Sequence, residues 1–144
     1  GHVVSFDRVF QSSTVGGFPA GKALDQEATV SATHRQRHAW WQASRAEPIL
    51  VNSIHLELRD SPSAAKPEDV VVMLFSEPPS TMRCHDPSKC NSLGAAVEQA
   101  AFFTTVELWG RSASGVVEIR LPRPILARAL RLQTRGKVSL QIKE

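Results

Sequence analysis

From Ile49 to Arg59 the chain alternates, with Ile54, Leu56 and Leu58 directed one way and His55, Glu57 and Arg59 the other. A two-residue period predicts a strand with one buried face. Val70 to Phe75 (VVVMLF) is instead an unbroken apolar run rich in β-branched residues, which predicts a central strand covered on both faces. Further strands are predicted over Phe102 to Trp109, Gly115 to Leu121, Ala127 to Gln133 and Val138 to Ile142. Turn residues punctuate them at Ser61-Pro-Ser, Glu77-Pro-Pro-Ser, Gly110-Arg-Ser-Ala-Ser-Gly, Pro122-Arg-Pro and Arg135-Gly-Lys. Only Leu93 to Ala101 has helical propensity, and Gly94 weakens its start. Gln11 to Gln42 reads mainly as loop and ends in the pair Trp40-Trp41, of which one is expected in the core because neighbours on a strand face opposite ways. Many short strands with turn residues between them indicate an all-β sandwich or barrel. Its expected core is Ile54, Leu56, Leu58, Val71, Met73, Phe75, Val106, Leu108, Val117, Ile119, Leu130 and Leu132.

Composition narrows the class. A length of 144 residues suits one domain, so residues 1–144 are expected to share a single core. With 42% hydrophobic and 22% charged residues, long disorder is not expected. No apolar run approaches the roughly 20 residues of a membrane span. Seventeen Lys and Arg against 14 Asp and Glu leave a net charge of +3, too mild for a non-specific nucleic-acid binder. Gly1-His2 reads as a cleavage remnant, and the strand character of Val138 onward suggests a piece of a larger protein.

Candidate chemistry is sparse. Cys84 and Cys90 enclose a short polar loop, which favours a disulfide and an extracellular or lumenal setting over two free thiols. Zinc could use His34 with His38, or Cys84 and Cys90 with His85. The first pair needs a helix that HRQRHAWW does not favour, and the second lacks a fourth ligand at a usual spacing. Nothing marks an activated nucleophile with a base and an orienting acid, so a binder is expected rather than an enzyme. Arg35, Arg37 and Arg45 would suit an anionic partner.

One resemblance runs across most of the chain. Val9-Phe-Gln-Ser-Ser-Thr-Val-Gly-Gly-Phe-Pro-Ala-Gly-Lys-Ala-Leu-Asp25 is similar to the opening of the F-type lectins (fucolectins). Ser31-Ala-Thr-His34, Ala39-Trp-Trp-Gln42, the strand ending at Arg59, Leu130-Arg-Leu132 and Val138-Ser-Leu140 continue the likeness in order. The resemblance implies an antiparallel jelly-roll β-sandwich of the F-type lectin and discoidin-like kind. It also implies a carbohydrate-binding, fucose-type module of a secreted or surface protein. His34, Arg59 and Lys66 fall at the places of the family's sugar motif, and Phe18 or Trp40 would supply an apolar wall for the sugar's C–H face. This chemistry is sound: a hydroxyl both donates and accepts, an imidazole can accept, and Arg and Lys offer charge-assisted donors.

The calcium loop and one disulfide of that family are altered here. Asp25 is followed by Gln26-Glu27, and Ile142 stands where an acidic ligand is usual. Ca²⁺ takes six to eight oxygens, for which Asp25, Glu27, Ser31 and backbone carbonyls are the candidates. Ala32 replaces one cysteine of the family disulfide, and Gln141 stands at the place of its partner. The alternative reading is a lectin-like or discoidin-like module that docks a protein partner, a neighbouring domain or a membrane surface without binding sugar.

Overall fold

A computed structural model describes residues 6–12, 19, 31–33, 36–37, 39–58, 66–79, 92–109, 116–135, 137–138 and 141–142. Nine strands are formed among them: β1 (Arg8–Gln11), β2 (Ser31–Ala32), β3 (Gln36–Arg37), β4 (Trp40–Leu56), β5 (Val70–Phe75), β6 (Phe102–Thr105), β7 (Val117–Thr134), β8 (Lys137–Val138) and β9 (Gln141–Ile142). One helix, α1 (Leu93–Gln99), lies where helical propensity was concentrated. Ser92 starts it, its hydroxyl accepting a hydrogen bond from the Ala95 N–H at 3.2 Å and so satisfying one of the orphan donors of a helix N-terminus. The main sheet has the order β1-β4-β7-β5-β6, with every neighbouring pair antiparallel. Two short ladders, β2 with β9 and β3 with β8, tie the segment before β4 to the segment after β7.

The sandwich is built by one long ribbon that bends. Strands β4 and β7 pair from Trp40↔Gln133 to Ser44↔Ala129, and again from Ile49↔Ala127 to Leu56↔Val117. Between these halves the register slips, so that Arg45 to Pro48 face Arg128 alone. A second slip, between Val51↔Ile125 and Ser53↔Arg120, sets Leu121 to Pro124 against Asn52. Pro48, Pro122 and Pro124 all fall in these bulges, where a residue without an N–H costs no ladder bond and the strand bends. The predicted turn at Pro122-Arg-Pro is therefore a bulge inside one continuous strand. Trp41, Ala43 and Leu132 from the first half then share a core with Ile54, Leu56, Val117 and Ile119 from the second. The structure is the expected all-β antiparallel sandwich.

Strand β5 is buried on both faces, as its unbroken apolar run predicts. Val70, Val72 and Leu74 enter the main core. Val71, Met73 and Phe75 enter a second cluster with Ala129 and Ala96, against which Leu93, Val97 and Ala100 of the helical segment pack. Of the expected core, Ile54, Leu56, Leu58, Val106, Val117, Ile119 and Leu132 are also buried, and Leu130 packs partly buried against them. Leu108 is not core, being 74% exposed. The chain leaves β6 at Thr105 and makes a 3₁₀ turn over Val106–Leu108, which breaks the two-residue period: Val106 turns inward and Leu108 outward.

Candidate functional site

Of the residues expected to grip a sugar, Lys66 lies at the end of the sheet where β4 and β5 begin and β7 stops. There Val70 pairs with Thr134, whose N–H donates to the Ala39 carbonyl at 2.8 Å, and the Arg135 N–H donates to the Asp69 carbonyl at 2.7 Å. Lys66 opens the 3₁₀ turn Pro67–Asp69 that leads into β5. Its N–H donates to Asp69 Oδ2 at 2.9 Å, while its carbonyl accepts from the Asp69 N–H at 2.8 Å. Asp69 thus holds Lys66 at a fixed point beside the end of β7, a positioning role that was not assigned from the sequence. The sign was there in the order Lys-Pro-Glu-Asp, where an acid three residues on can reach back to the N–H that opens a helical turn.

His34, Arg59, Phe18, Asp25, Glu27, Cys84 and Cys90 lie outside the described residues, and Ser31 is described only through its backbone in β2. Their described flanks are Thr33, fully buried, and Leu58, buried in the main core. In the ladder of β2 with β9, Ala32 faces Gln141 and Ser31 faces Ile142. The two positions that the resemblance gives to a missing disulfide are thus direct cross-strand neighbours. The same register brings an aliphatic residue, not a carboxylate, opposite Ser31, so the described part of this ladder adds no charged oxygen for Ca²⁺. Among the described residues no group of three His, Cys, Asp or Glu is arranged to hold a metal.

Trp40 differs from its expected use as a sugar wall. Trp40 and Trp41 are both buried, at 3% exposure each, because the sheet is covered on both faces here. Trp41 enters the main core, while on the opposite face the Arg131 guanidinium lies 4.7 Å from the centre of the Trp40 ring. A covered indole with a cation over its face offers no open surface to a sugar.

Arg131 is the least anticipated residue of the fold. It is 1% exposed, donates from Nε to Gln42 Oε1 at 2.7 Å and from an Nη to Gln133 Oε1 at 3.4 Å. Desolvation by burial lowers its pKa to about 10. Gln42 in turn donates from Nε2 to the Pro79 carbonyl at 3.3 Å. This polar chain sits beneath a cleft of about 400 Å³ lined by Asp7, Arg8, Phe10, Gln42, Ser44, Arg45, Ala46, Pro78, Pro79 and Arg128. The cleft lies at the bend of the ribbon, midway along β4 and at the opposite end of β5 from Lys66.

Comparison with solved structures places this architecture. The lectin domain of lectinolysin, solved with Lewis b antigen, matches with a TM-score of 0.66 at 19% identity, over 94% of this chain and 86% of that one. A fucose-binding module of Streptococcus pneumoniae matches with a TM-score of 0.68 at 13% identity, over 96% and 93%. An F-lectin from striped bass (Morone saxatilis) serum matches with a TM-score of 0.67 at 15% identity, over 95% of this chain and 43% of that one. No protein-family model matches the sequence, and no curated protein matches it either. The chain has the F-type lectin and discoidin-like fold. No helix among the described residues is long and apolar enough to cross a membrane.

Proposed function

We propose that the chain is a non-catalytic carbohydrate-recognition domain of the fucose-binding kind, acting outside the cell or in the secretory lumen. His34, Arg59 and Lys66 grip ring hydroxyls, the imidazole as acceptor and the two cations as donors. The observation that carries this reading is the facing of Ala32 and Gln141 across β2 and β9. It supports the residue-by-residue likeness to fucolectins at both ends of the chain, and hence the placing of His34 two positions beyond Ala32. The fixed position of Lys66 beside Asp69 supports it further. The neighbours' recorded ligands, Lewis b antigen and, for a Clostridium perfringens carbohydrate-binding module, galactose, agree with a sugar as ligand.

A multimerised preparation on an array of fucosylated and galactosylated glycans tests the proposal, multimerised because single sites of this kind depend on avidity. Arg59→Ala is expected to abolish the signal and to leave the melting temperature almost unchanged, since it removes donors and no core. A blank array with folded protein overturns the reading in favour of a module that docks a protein surface.

In this proposal Ca²⁺ is held by Asp25 and Glu27 with Ser31 and nearby carbonyls. A ligand that binds only the folded chain raises its melting temperature. Millimolar Ca²⁺ is therefore expected to raise it and EDTA to reverse the rise; no shift in either direction would show that the loop binds no calcium.

A further inference from the structure

We propose that the cleft at the bend of the ribbon, at the far end of β5 from Lys66, is a second binding site, and that it takes an acidic saccharide unit, one carrying a carboxylate or a sulfate. Among the described residues its lining combines three guanidinium groups, Arg8, Arg45 and Arg128, with one acid, Asp7. That acid is already engaged: Asp7 Oδ2 accepts from the Ala46 N–H at 2.7 Å. Two of the three forks are held in place. Arg45 Nε donates to the Glu47 carbonyl at 2.7 Å. Arg128 donates from Nε to the Arg45 carbonyl at 3.4 Å and from an Nη to Glu77 Oε2 at 2.9 Å. Arg8 is exposed and makes no ion pair among the described residues. Guanidinium forks match the two oxygens of a carboxylate or sulfate, and forks fixed beforehand lose less freedom on binding.

The walls point to a sugar rather than to an acidic peptide. Phe10, 37% exposed, and the Pro78-Pro79 pair offer apolar faces around the cationic groups. A pyranose ring presents a C–H face to such walls and its acidic group to the forks. The space is compact, about 400 Å³, on the scale of a small ligand and not of an extended strand. The floor is rigid because both polar ends of Gln42 are in use, one by Arg131 and the other by the Pro79 carbonyl. Glu77, with 81% of its side chain exposed, stands on the rim and competes for Arg128.

Titration calorimetry with the intact chain tests the site, using a glucuronate-containing disaccharide, a sulfated disaccharide, the neutral glucose counterpart and a glutamate-rich peptide. Binding of either acidic sugar is expected, weakening as salt is raised, with the neutral sugar at least tenfold weaker. The two acidic probes separate carboxylate from sulfate. Arg8→Gln, at an exposed residue, should weaken the acidic sugar about tenfold. Glu77→Gln should strengthen it by releasing Arg128. Arg59→Ala should leave it unchanged, which separates this site from the loops: acidic-sugar binding that survives a blank fucose array keeps the cleft and removes only the loop reading. Equal binding of neutral and acidic sugars, loss of binding in Arg59→Ala but not in Arg8→Gln, binding of the peptide alone, or no binding at all overturns the proposal.

Discussion

Arg131→Ala is expected to destabilise the fold by roughly 3 kcal/mol or more, lowering the urea midpoint with little change in the slope of the transition. The change empties the space over Trp40 and leaves Gln42 Oε1 and Gln133 Oε1 without their guanidinium donor in a buried setting. Arg131→Met keeps most of the volume and removes a desolvated charge, so its loss should be less than half that of the alanine variant. The pH dependence has a definite sign. Burial lowers the folded-state pKa to about 10, below the ordinary arginine value that the unfolded chain keeps. Above about pH 10 the unfolded chain therefore binds more protons than the folded one, and stability from this group rises with pH. Below that pH the group is charged in both states and its desolvation cost is fully present. Measured against Arg131→Met, the wild-type chain should gain stability as the pH rises from about 10 to about 11. A flat difference across that range would mean that Arg131 is better solvated than its burial indicates.

The same residue shows where the sequence misleads. Leu130, Arg131 and Leu132 read as an alternating strand with the arginine facing solvent, which holds only if one face of the sheet is open. The apolar run Val70 to Phe75 already denies that, because β5 pairs with β7 from Val70↔Thr134 to Phe75↔Ala129 and must share its cover with its neighbour. Where β7 runs beside β5 it is buried on both faces from Arg131 to Thr134, and Arg131 bonds Gln42 and Gln133 there, whereas β6 on the other side of β5 leaves Phe103 exposed. Trp40 and Gln42 on β4 are covered in the same way one strand further on. The long bent ribbon was harder to foresee, since Pro48, Pro122 and Pro124 are ordinarily strand breakers. Nothing local distinguishes a proline that ends a strand from one that occupies a bulge facing a single partner residue.

The candidate sugar site was legible in a different way. Arg59 and Lys66 taken singly resemble solvated residues at a strand end and in a loop; their order and spacing carried the assignment, and Asp69 was missed because it acts through the backbone of Lys66. The cleft at the bend could not be read at all. Arg8, Arg45 and Arg128 stand far apart in the chain, and only the pairing Arg8↔Ser44 with Ser44↔Ala129 brings their strands together.

Phe75→Ala is expected to cost about 3–5 kcal/mol, a fall in melting temperature of roughly 10–17 °C for a chain of this length. Phe75 is fully buried and belongs to the cluster that joins the sheet to α1. A helix as short as Leu93–Gln99 has no stability of its own in water and depends on that packing. The cavity should therefore appear first as faster amide exchange across residues 92–100, while β4 and β7 keep their protection until the whole chain unfolds. Leu108→Ala is the matched control: the sequence places both residues in the core, but Leu108 lies on the outside of its 3₁₀ turn and should change stability by no more than about 0.5 kcal/mol. Equal losses in the two variants would return Leu108 to the core and refute the turn at Val106–Leu108. Unequal losses with no change in exchange at α1 would instead place the support of the helix elsewhere than on Phe75.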